Sequence, residues 1–196
     1  MLHGGQANSL DPVRRTNLAA LRMRPFATAV ARRAGNARIG VFQLRNRLRG
    51  WNGDAADPLA DTAWALEHIG RRHGPIPVVL IGHSMGARAA LRSAGHPQVV
   101  AVVALAPWIP ADEPIAQLQG RAVLIAHGER DTVTDPTASR DFAAKAESEG
   151  VDVEYRTIAH GDHAMLRRAG TWHALAAEFA VAHLGGAYET MTTQSS

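Results

Sequence analysis

The pentapeptide Gly82-His83-Ser84-Met85-Gly86 has the residue types and the spacing of a nucleophile turn. It matches G-x-S-x-G, in which a sharp strand-to-helix turn exposes the serine hydroxyl and leaves no room for side chains at the glycines. The wholly apolar run before it, Val78 to Ile81, is typical of a buried strand, and a helix is predicted to follow from about Met85 to Ala94. The sequence therefore predicts Ser84 as a nucleophile, with the Met85 amide facing a developing oxyanion.

A serine hydroxyl needs a base, and the base needs an orienting carboxylate, before it can attack a carbonyl at neutral pH. Asp131 comes just after the apolar strand Ala122 to Ala126, at the end where sites lie in open parallel sheets. His163 follows the last predicted strand, which gives the chain order of serine, acid and histidine that accompanies this kind of turn. We therefore predict a triad of Ser84, Asp131 and His163.

Three nearby residues are alternatives for the acid and the base. Glu129 and Asp135 share the loop of Asp131, and any of these carboxylates could be solvated or could cap a helix. His160 abuts the last strand and could merely hydrogen-bond its loop. The run His160-Gly161-Asp162-His163 also offers metal ligands, but no third ligand follows at helix or finger spacing, so we expect no metal and no other cofactor.

Strands and helices must alternate along the chain to position these residues. The predicted strands are Arg38 to Leu44, Val78 to Ile81, Val99 to Ala106, Ala122 to Ala126 and Val151 to Ile158, and the predicted helices begin at Asp57 (as N-cap), Met85, Thr137 and Thr171. This pattern predicts an α/β fold, with a mainly parallel sheet and helices on both faces. We expect one domain over residues 1–189, a last helix that ends at Gly185-Gly186, and a disordered polar tail at 190–196.

Composition narrows the class of protein further. The 196 residues include no cysteine, which excludes disulfides and thiolate chemistry, and no apolar run is long enough to span a membrane. Ten arginines and no acidic residue lie between Arg14 and Arg49, but no nucleic-acid motif accompanies them. We interpret this stretch as a solvated face, and we expect a cytoplasmic protein without a nucleic-acid or membrane partner.

Together, the chemical segments resemble the α/β-hydrolase superfamily, in particular small bacterial esterase- and lipase-like members without a cap domain. The resemblance covers essentially the whole chain and rests on His3-Gly4-Gly5, the serine turn, the Gly128 to Asp131 segment and the His163 segment. It implies that the amide of Gly5 or Gln6 is the second oxyanion donor. It also implies hydrolysis of a small or medium carboxylic ester through an acyl-enzyme; action on amides or thioesters, or a non-catalytic binding role, are the alternatives.

The chain between Ala106 and Arg121 is too short for the cap that family members often insert there. The site should therefore be open, and we expect Trp108 and Ile109 to form an apolar wall for an acyl group; packing alone is the alternative role for Trp108. The segment Arg45 to Gly53 follows a predicted strand and lies on the same rim. It could bind an anionic substrate group or be a loop pinned by Trp51 and Asn52.

The beginning of the chain departs from the family pattern. Family members have strands before the His-Gly-Gly segment, and the strand that leads into it lies in the middle of the sheet, whereas only Met1 and Leu2 precede His3 here. We therefore expect an empty slot beside the strand that carries Ser84, with unpaired backbone groups on both sides. The hypothesis that follows is that the natural protein begins further upstream; a truncated or rearranged protein is the alternative.

Overall fold

Four parallel strands form the sheet of the computed structural model, which describes residues 1–194. They are β1 (Val78–His83), β2 (Val99–Leu105), β3 (Ala122–Gly128) and β4 (Asp152–Ile158), and they pair in chain order. Each is apolar enough to be covered on both faces, apart from β4 at the edge, where exposed and half-buried residues dominate. The predicted α/β class with a mainly parallel sheet is confirmed.

Helices cover both faces of this sheet, as predicted. They are α1 (Leu18–Arg22), α2 (Arg24–Ala34), α3 (Asp57–His73), α4 (Met85–Arg92), α5 (Pro136–Ser148) and α6 (Ala169–Gln194). Side chains alternate across the strands, so Val102 and Ile125 pack with α3, α4 and α5, whereas Val103 and Leu124 pack with α2 and α6. The sheet therefore separates two cores.

The slot beside β1 is occupied at its carboxyl end by the first residues of the chain. The Leu2 N–H donates to Ile81 O at 2.8 Å, the His83 N–H donates to Leu2 O at 3.0 Å, and the Leu44 N–H donates to Met1 O at 3.0 Å. The expectation of an empty slot was thus wrong for this end. The remainder is an open groove beside Val78, Val79 and Leu80.

The prediction that Arg38 to Leu44 form a strand was wrong. Within the described residues this segment forms a single parallel bridge, from Leu44 to Leu2. A strand requires a ladder partner along its length, and among the described residues this segment has strand-like pairing with Met1 and Leu2 alone. Its apolar side chains instead line the groove.

Two predicted helix ends also differ from the structure. Ala56, with φ of 42°, is the N-cap of α3, and Asp57 is its first helical residue, whose carboxylate accepts from Asn52 Nδ2 at 2.9 Å. Helix α6 does not end at Gly185-Gly186 but runs to Gln194, because glycine lowers helix stability by about 1 kcal/mol without forbidding the helix. The predicted polar tail is therefore helical as far as Gln194, and residues 195–196 lie outside the described part. None of the described helices has the length and apolarity needed to cross a bilayer.

Candidate active site

Ser84 occupies a strained turn between β1 and α4. Its φ of 55° and ψ of −118° are unusual for a residue with a side chain, and its N–H donates to Leu105 O at 2.9 Å. A Cβ added to Gly82 would lie 2.3 Å from Gly86 O, and one added to Gly86 would lie 2.5 Å from the carbonyl oxygens of Leu2 and His3. Both glycines are therefore required by close backbone approach, as the motif predicted.

Asp131 and His163 lie in direct hydrogen-bond contact. His163 Nδ1 is 2.8 Å from Asp131 Oδ2. An ionised carboxylate can only accept, so Nδ1 carries a proton, and in the uncharged ring the lone pair is then on Nε2. That tautomer leaves Nε2 as a base on the side of the ring away from the acid.

The carboxylate of Asp131 is buried and saturated with donors. Its Oδ1 accepts from the backbone N–H groups of Val133 and Thr134 at 2.8 and 3.0 Å, and its Oδ2 also accepts from Thr134 Oγ1 at 3.0 Å and His127 Nε2 at 3.1 Å. Burial pushes the pKa of Asp131 up, but the hydrogen bonds from His127, His163 and the loop outweigh it and hold this pKa well below its ordinary value. Asp131 therefore stays ionised and can stabilise a protonated His163.

The alternative residues do not meet in this way. Glu129 is exposed and accepts from the His160 N–H at 2.9 Å, and the His160 ring is itself exposed, with Nδ1 3.6 Å from Glu129 Oε2. Asp135 caps α5 by accepting from the Thr137 N–H at 2.7 Å. Glu129 and His160 thus form an exposed pair, whereas Asp131 and His163 are the predicted acid and base whose side chains are joined by a hydrogen bond.

His127 and Thr134 surround the acid, and the sequence analysis assigned them no role. His127 is fully buried, and its Nδ1 lies 2.8 Å from Ser139 Oγ while Nε2 faces Asp131. Thr134 Oγ1 lies within 3.2 Å of both His127 Nε2 and His163 Nδ1. The sequence offered one signal for His127, namely a histidine at the end of a buried strand and directly before a glycine.

His83, the residue before the nucleophile, contacts the backbone of the base. Its Nε2 is 2.9 Å from His163 O, and the two ring centroids are 4.8 Å apart. Burial, followed by the charge of His163, lowers the pKa of His83 to about 3, so this ring is neutral and donates its Nε2 proton. Within the described residues, Ser84 Oγ and His163 form no hydrogen bond; the two residues are linked through His83, and such bonds often tighten only when substrate binds.

The two candidate oxyanion amides from the chain's beginning differ in availability. The Gln6 N–H donates to Arg49 O at 2.8 Å, so it is already committed, whereas the Gly5 N–H has no partner among the described residues. A Cβ added to Gly5 would lie 2.4 Å from Met85 Cε, which places Gly5 directly beside the start of α4. His3 holds this segment, because its Nδ1 lies 2.7 Å from Gly4 O and its Nε2 accepts from the Asn46 N–H at 3.1 Å.

Trp108 and Ile109 follow β2 and are partly buried. The Trp108 ring packs edge-on against Trp51, with centroids 6.2 Å apart, and the Arg88 guanidinium lies 4.7 Å from the Trp108 ring centre and 4.0 Å from that of Trp51. Trp108 thus has a packing role, and its N–H also donates to Ser84 O at 3.3 Å.

The Arg45 to Gly53 loop is pinned by Trp51 and Asn52, which was one of the two predicted roles. Trp51 is buried, and Asn52 Oδ1 accepts from the Ser9 N–H at 2.8 Å. Its arginines also have partners: Arg47 pairs with Asp57 and Asp61, Arg45 Nη1 donates to Val13 O, and Arg49 lies 3.8 Å from Asp11.

In the part of the chain that is described, no group of three or more histidine and acidic side chains is arranged so that it could hold a metal ion.

Comparisons with known proteins identify the family and the fold. The model of the alpha/beta hydrolase domain family matches residues 53–183. A putative alpha/beta hydrolase of unknown function from Agrobacterium tumefaciens is 17% identical, with a TM-score of 0.67 over 93% of this chain and 87% of that one.

Two further solved structures are similar. An alpha-beta serine hydrolase homologue from Coxiella burnetii is 17% identical, with a TM-score of 0.60 over 90% of this chain and 84% of that one. Est1E from Butyrivibrio proteoclasticus, solved with bound ferulic acid, is 13% identical, with a TM-score of 0.66 over 92% and 88%. At such identities the likeness concerns the fold alone. No curated protein matches the sequence significantly.

Proposed function

The chain belongs to the alpha/beta hydrolase family, and we propose that it is a serine hydrolase that cleaves small or medium-sized carboxylic esters through an acyl-enzyme. The observation that carries this proposal is the 2.8 Å contact between His163 Nδ1 and Asp131 Oδ2 at the same sheet edge as the strained turn of Ser84. A histidine held by a carboxylate at the same sheet edge as a serine turn is what nucleophilic acyl transfer requires.

In the proposed reaction, His163 Nε2 removes the proton of Ser84 Oγ as this oxygen attacks the ester carbonyl carbon. Asp131 stabilises the imidazolium that forms, and the alcohol leaves with the proton that His163 returns to it. Water, deprotonated by His163, then attacks the acyl carbon and releases the acid and Ser84.

The oxyanion would be held by two backbone amides. The Met85 N–H lies at the N-terminus of α4, where the helix dipole favours negative charge. Gly5 is the better second donor than Gln6, because the N–H of Gln6 already donates to Arg49 O at 2.8 Å. His3 and Asn46 hold the Gly5 segment in place.

Apolar side chains near the triad support an ester with an apolar acyl group. Val133 and Leu166 follow Asp131 and His163 in sequence and are 70% and 71% exposed, and Trp108 and Ile109 lie beyond β2. Exposed aliphatic side chains beside a polar site can cover an acyl chain of modest length. The loop from Pro107 to Arg121 contains one short 3-10 turn, Ala116–Leu118, so this loop is too small to form a cap over the site.

A panel of p-nitrophenyl esters from acetate to dodecanoate, together with a p-nitroanilide, tests the proposal. We expect turnover of the short and medium esters, weak turnover of the dodecanoate and none of the anilide. The Ser84→Ala variant should be inactive. Ser93→Ala is the matched control, because Ser93 is also buried and its hydroxyl has no partner among the described residues. Equal rates in the two variants, or no turnover of any ester, would contradict the proposal.

A further inference from the structure

We propose that Arg88 is a positioning residue: its guanidinium holds Trp51 and Trp108 in place, and through them the backbone of the two segments that would bind the oxyanion. The catalytic consequence of this role rests on the proposed function, whereas the holding is a property of the fold that can be measured without turnover. Two ring contacts, one buried carboxylate and two backbone hydrogen bonds support it.

The side chain of Arg88 joins two tryptophans that are distant in sequence. Arg88 is buried at the fourth residue of α4, and its guanidinium carbon lies 4.0 Å from the ring centre of Trp51 and 4.7 Å from that of Trp108. The two rings are nearly perpendicular, at 89°. A planar, weakly hydrated guanidinium is suited to contact aromatic rings in this way where water is excluded. The two indoles therefore share one cation as a common contact.

The backbone of each tryptophan bonds to one half of the proposed site. The Trp51 N–H donates to Gln6 O at 2.9 Å, and Gln6 directly follows Gly5. The Trp108 N–H donates to Ser84 O at 3.3 Å. Each ring that the guanidinium contacts is thus one hydrogen bond away from either the oxyanion segment or the nucleophile turn.

Helix α4 therefore holds the backbone on both sides of Gly5. Gly86 lets the chain just before Gly5 approach the helix, since a Cβ added to Gly86 would lie 2.5 Å from His3 O. Two residues further along α4, Arg88 reaches the chain just after Gly5 through Trp51. Misplacement of a group at a reacting centre by about 1 Å can cost on the order of 100-fold in rate. Loss of the Arg88 contact should therefore impair the oxyanion site.

Glu113 holds the guanidinium from a third direction and makes a matched control available. Its side chain is fully buried, and its carboxylate oxygens accept from Arg88 Nε and from Arg92 Nε, each at 2.7 Å. Either arginine alone leaves this carboxylate with a counter-ion. In the described part of the chain, Arg88 lies over the rings of Trp51 and Trp108 and Arg92 lies over no aromatic ring. Contact with the tryptophans is thus what distinguishes the two arginines.

The variants Arg88→Met and Arg92→Met test the proposal, after urea unfolding has shown that both are folded. The ester is the one that the unmodified chain hydrolyses fastest. We expect kcat to fall at least about tenfold in Arg88→Met while KM changes less than about threefold, because an oxyanion site acts in the transition state and not in substrate binding. In Arg92→Met, kcat should stay within about twofold of that of the unmodified chain.

Hydrogen exchange measures the holding without any turnover. The Gln6 N–H donates to Arg49 O and the Trp51 N–H to Gln6 O, so both amides report the pairing of the oxyanion segment. Relative to amides of the buried strand β2, which report global unfolding, we expect both to exchange at least about tenfold faster in Arg88→Met and at the normal rate in Arg92→Met.

The outcomes separate this proposal from the proposed function. Equal exchange in the two variants, or faster exchange in Arg88→Met with an unchanged kcat, would overturn the positioning role. A loss in Arg88→Met that appears as a higher KM alone would also overturn it, since that result assigns Arg88 to substrate binding. If the unmodified chain hydrolyses no ester, the proposed function fails, and faster exchange in Arg88→Met alone would still support the holding.

Discussion

Two histidines share one carboxylate oxygen of Asp131. His163 and His127 both lie within 3.1 Å of Oδ2, and the far nitrogen of His127 is 2.8 Å from the buried Ser139 Oγ. His127 donates to Asp131 through Nε2. Its ring cannot easily rotate, because Ser139 Oγ contacts Nδ1 on the opposite side of the ring. In the proposed reaction, we expect His127 to act as a positioning residue that fixes the acid in the orientation His163 needs.

The hydroxyl of Thr134 contributes to the same arrangement, so the Thr134→Val variant should lower the rate at which Ser84 reacts. Its Oγ1 lies 3.0 Å from Asp131 Oδ2, and loss of a hydrogen bond to a charged group costs about 1.5–3 kcal/mol, or roughly 10- to 100-fold in rate if it is lost in the transition state. Stopped-flow measurement of ester hydrolysis gives this rate. Thr137→Val, at an exposed position in α5, is the control and should leave the rate unchanged; equal rates in the two variants would rule out this role.

The Glu113→Gln variant should lower the free energy of unfolding. Glu113 is fully buried, and its two carboxylate oxygens each lie 2.7 Å from an arginine, Arg88 or Arg92. Breaking a buried pair leaves an uncompensated charge and costs about 3–5 kcal/mol. Urea unfolding measures the change. Glu67→Gln breaks the exposed pair with Arg71 and should cost less than about 1 kcal/mol, so similar losses in both variants would be inconsistent with this reasoning.

At the scale of elements, the start of α4 and the beginning of the chain depend on each other. The carbonyl oxygens of Leu2 and His3 lie 2.5 Å from where a Cβ on Gly86 would be. The helix that carries Ser84 and the segment that carries Gly5 can therefore approach only because residue 86 is glycine. This contact links the two halves of the proposed oxyanion site.

The Gly86→Ala variant should consequently lose both stability and ester hydrolysis. The added methyl group must push the segment at Leu2 and His3 away from α4, which costs about 1–3 kcal/mol and displaces Gly5 from Met85. Chemical unfolding and ester turnover on the same sample measure the two losses. In Gly95→Ala, the nearest atom to the new Cβ is Gln117 Cβ at 3.4 Å, so this control should retain both. Full activity of Gly86→Ala would contradict the account of the turn.

Element boundaries show what the sequence could and could not predict. The apolar strands were predicted within a few residues, because a short β-branched run between turn residues has few other structures available. Arg38 to Leu44 has the same signature, yet it forms one bridge, since strand formation also depends on a neighbour that no local pattern reveals. Helix α2 was not predicted at all, because its arginines obscured the helical spacing of the buried Phe26 and Val30.

At the scale of the whole molecule, stability should depend on pH through the Met1 ammonium. Its pKa is 8.0 in the unfolded chain and about 5 in the folded protein, because burial disfavours the charged form. Between these two pKa values the unfolded state binds more protons than the folded state. The contribution of the Met1 amino group to the free energy of unfolding is therefore fully present above pH 8 and is lost as the pH falls to 5. Buried His83, with a pKa of about 3, adds a loss in the same direction below its ordinary value of 6.5.

Urea unfolding at pH 5, 6, 7 and 8 measures this dependence. We expect the free energy of unfolding to rise with pH across this range in the chain that carries a free Met1 amino group. An N-terminally acetylated chain has no ammonium, so its curve should be flatter above pH 6.5, where His83 contributes little. Parallel curves for the two chains would show that the Met1 amino group is well solvated in the folded state.

The candidate site was predictable where chain order defines it and not where it depends on three-dimensional contacts. Ser84, Asp131 and His163 follow from one motif and from the ends of successive strands, and the structure places the last two in contact. The donors around Asp131 and the availability of Gly5 rather than Gln6 depend on which groups are already hydrogen-bonded. Such information arises only when distant segments meet.

Labelling with a fluorophosphonate, followed by peptide mapping, tests the central claim most directly, namely that Ser84 is a nucleophile activated by His163. We predict one adduct, on the peptide that contains Ser84, with a labelling rate reduced at least about 100-fold in His163→Ala. His160→Ala, at the exposed neighbouring histidine, should label at the normal rate. An adduct on another residue, no adduct on the folded protein, or equal rates in the two histidine variants would contradict the claim.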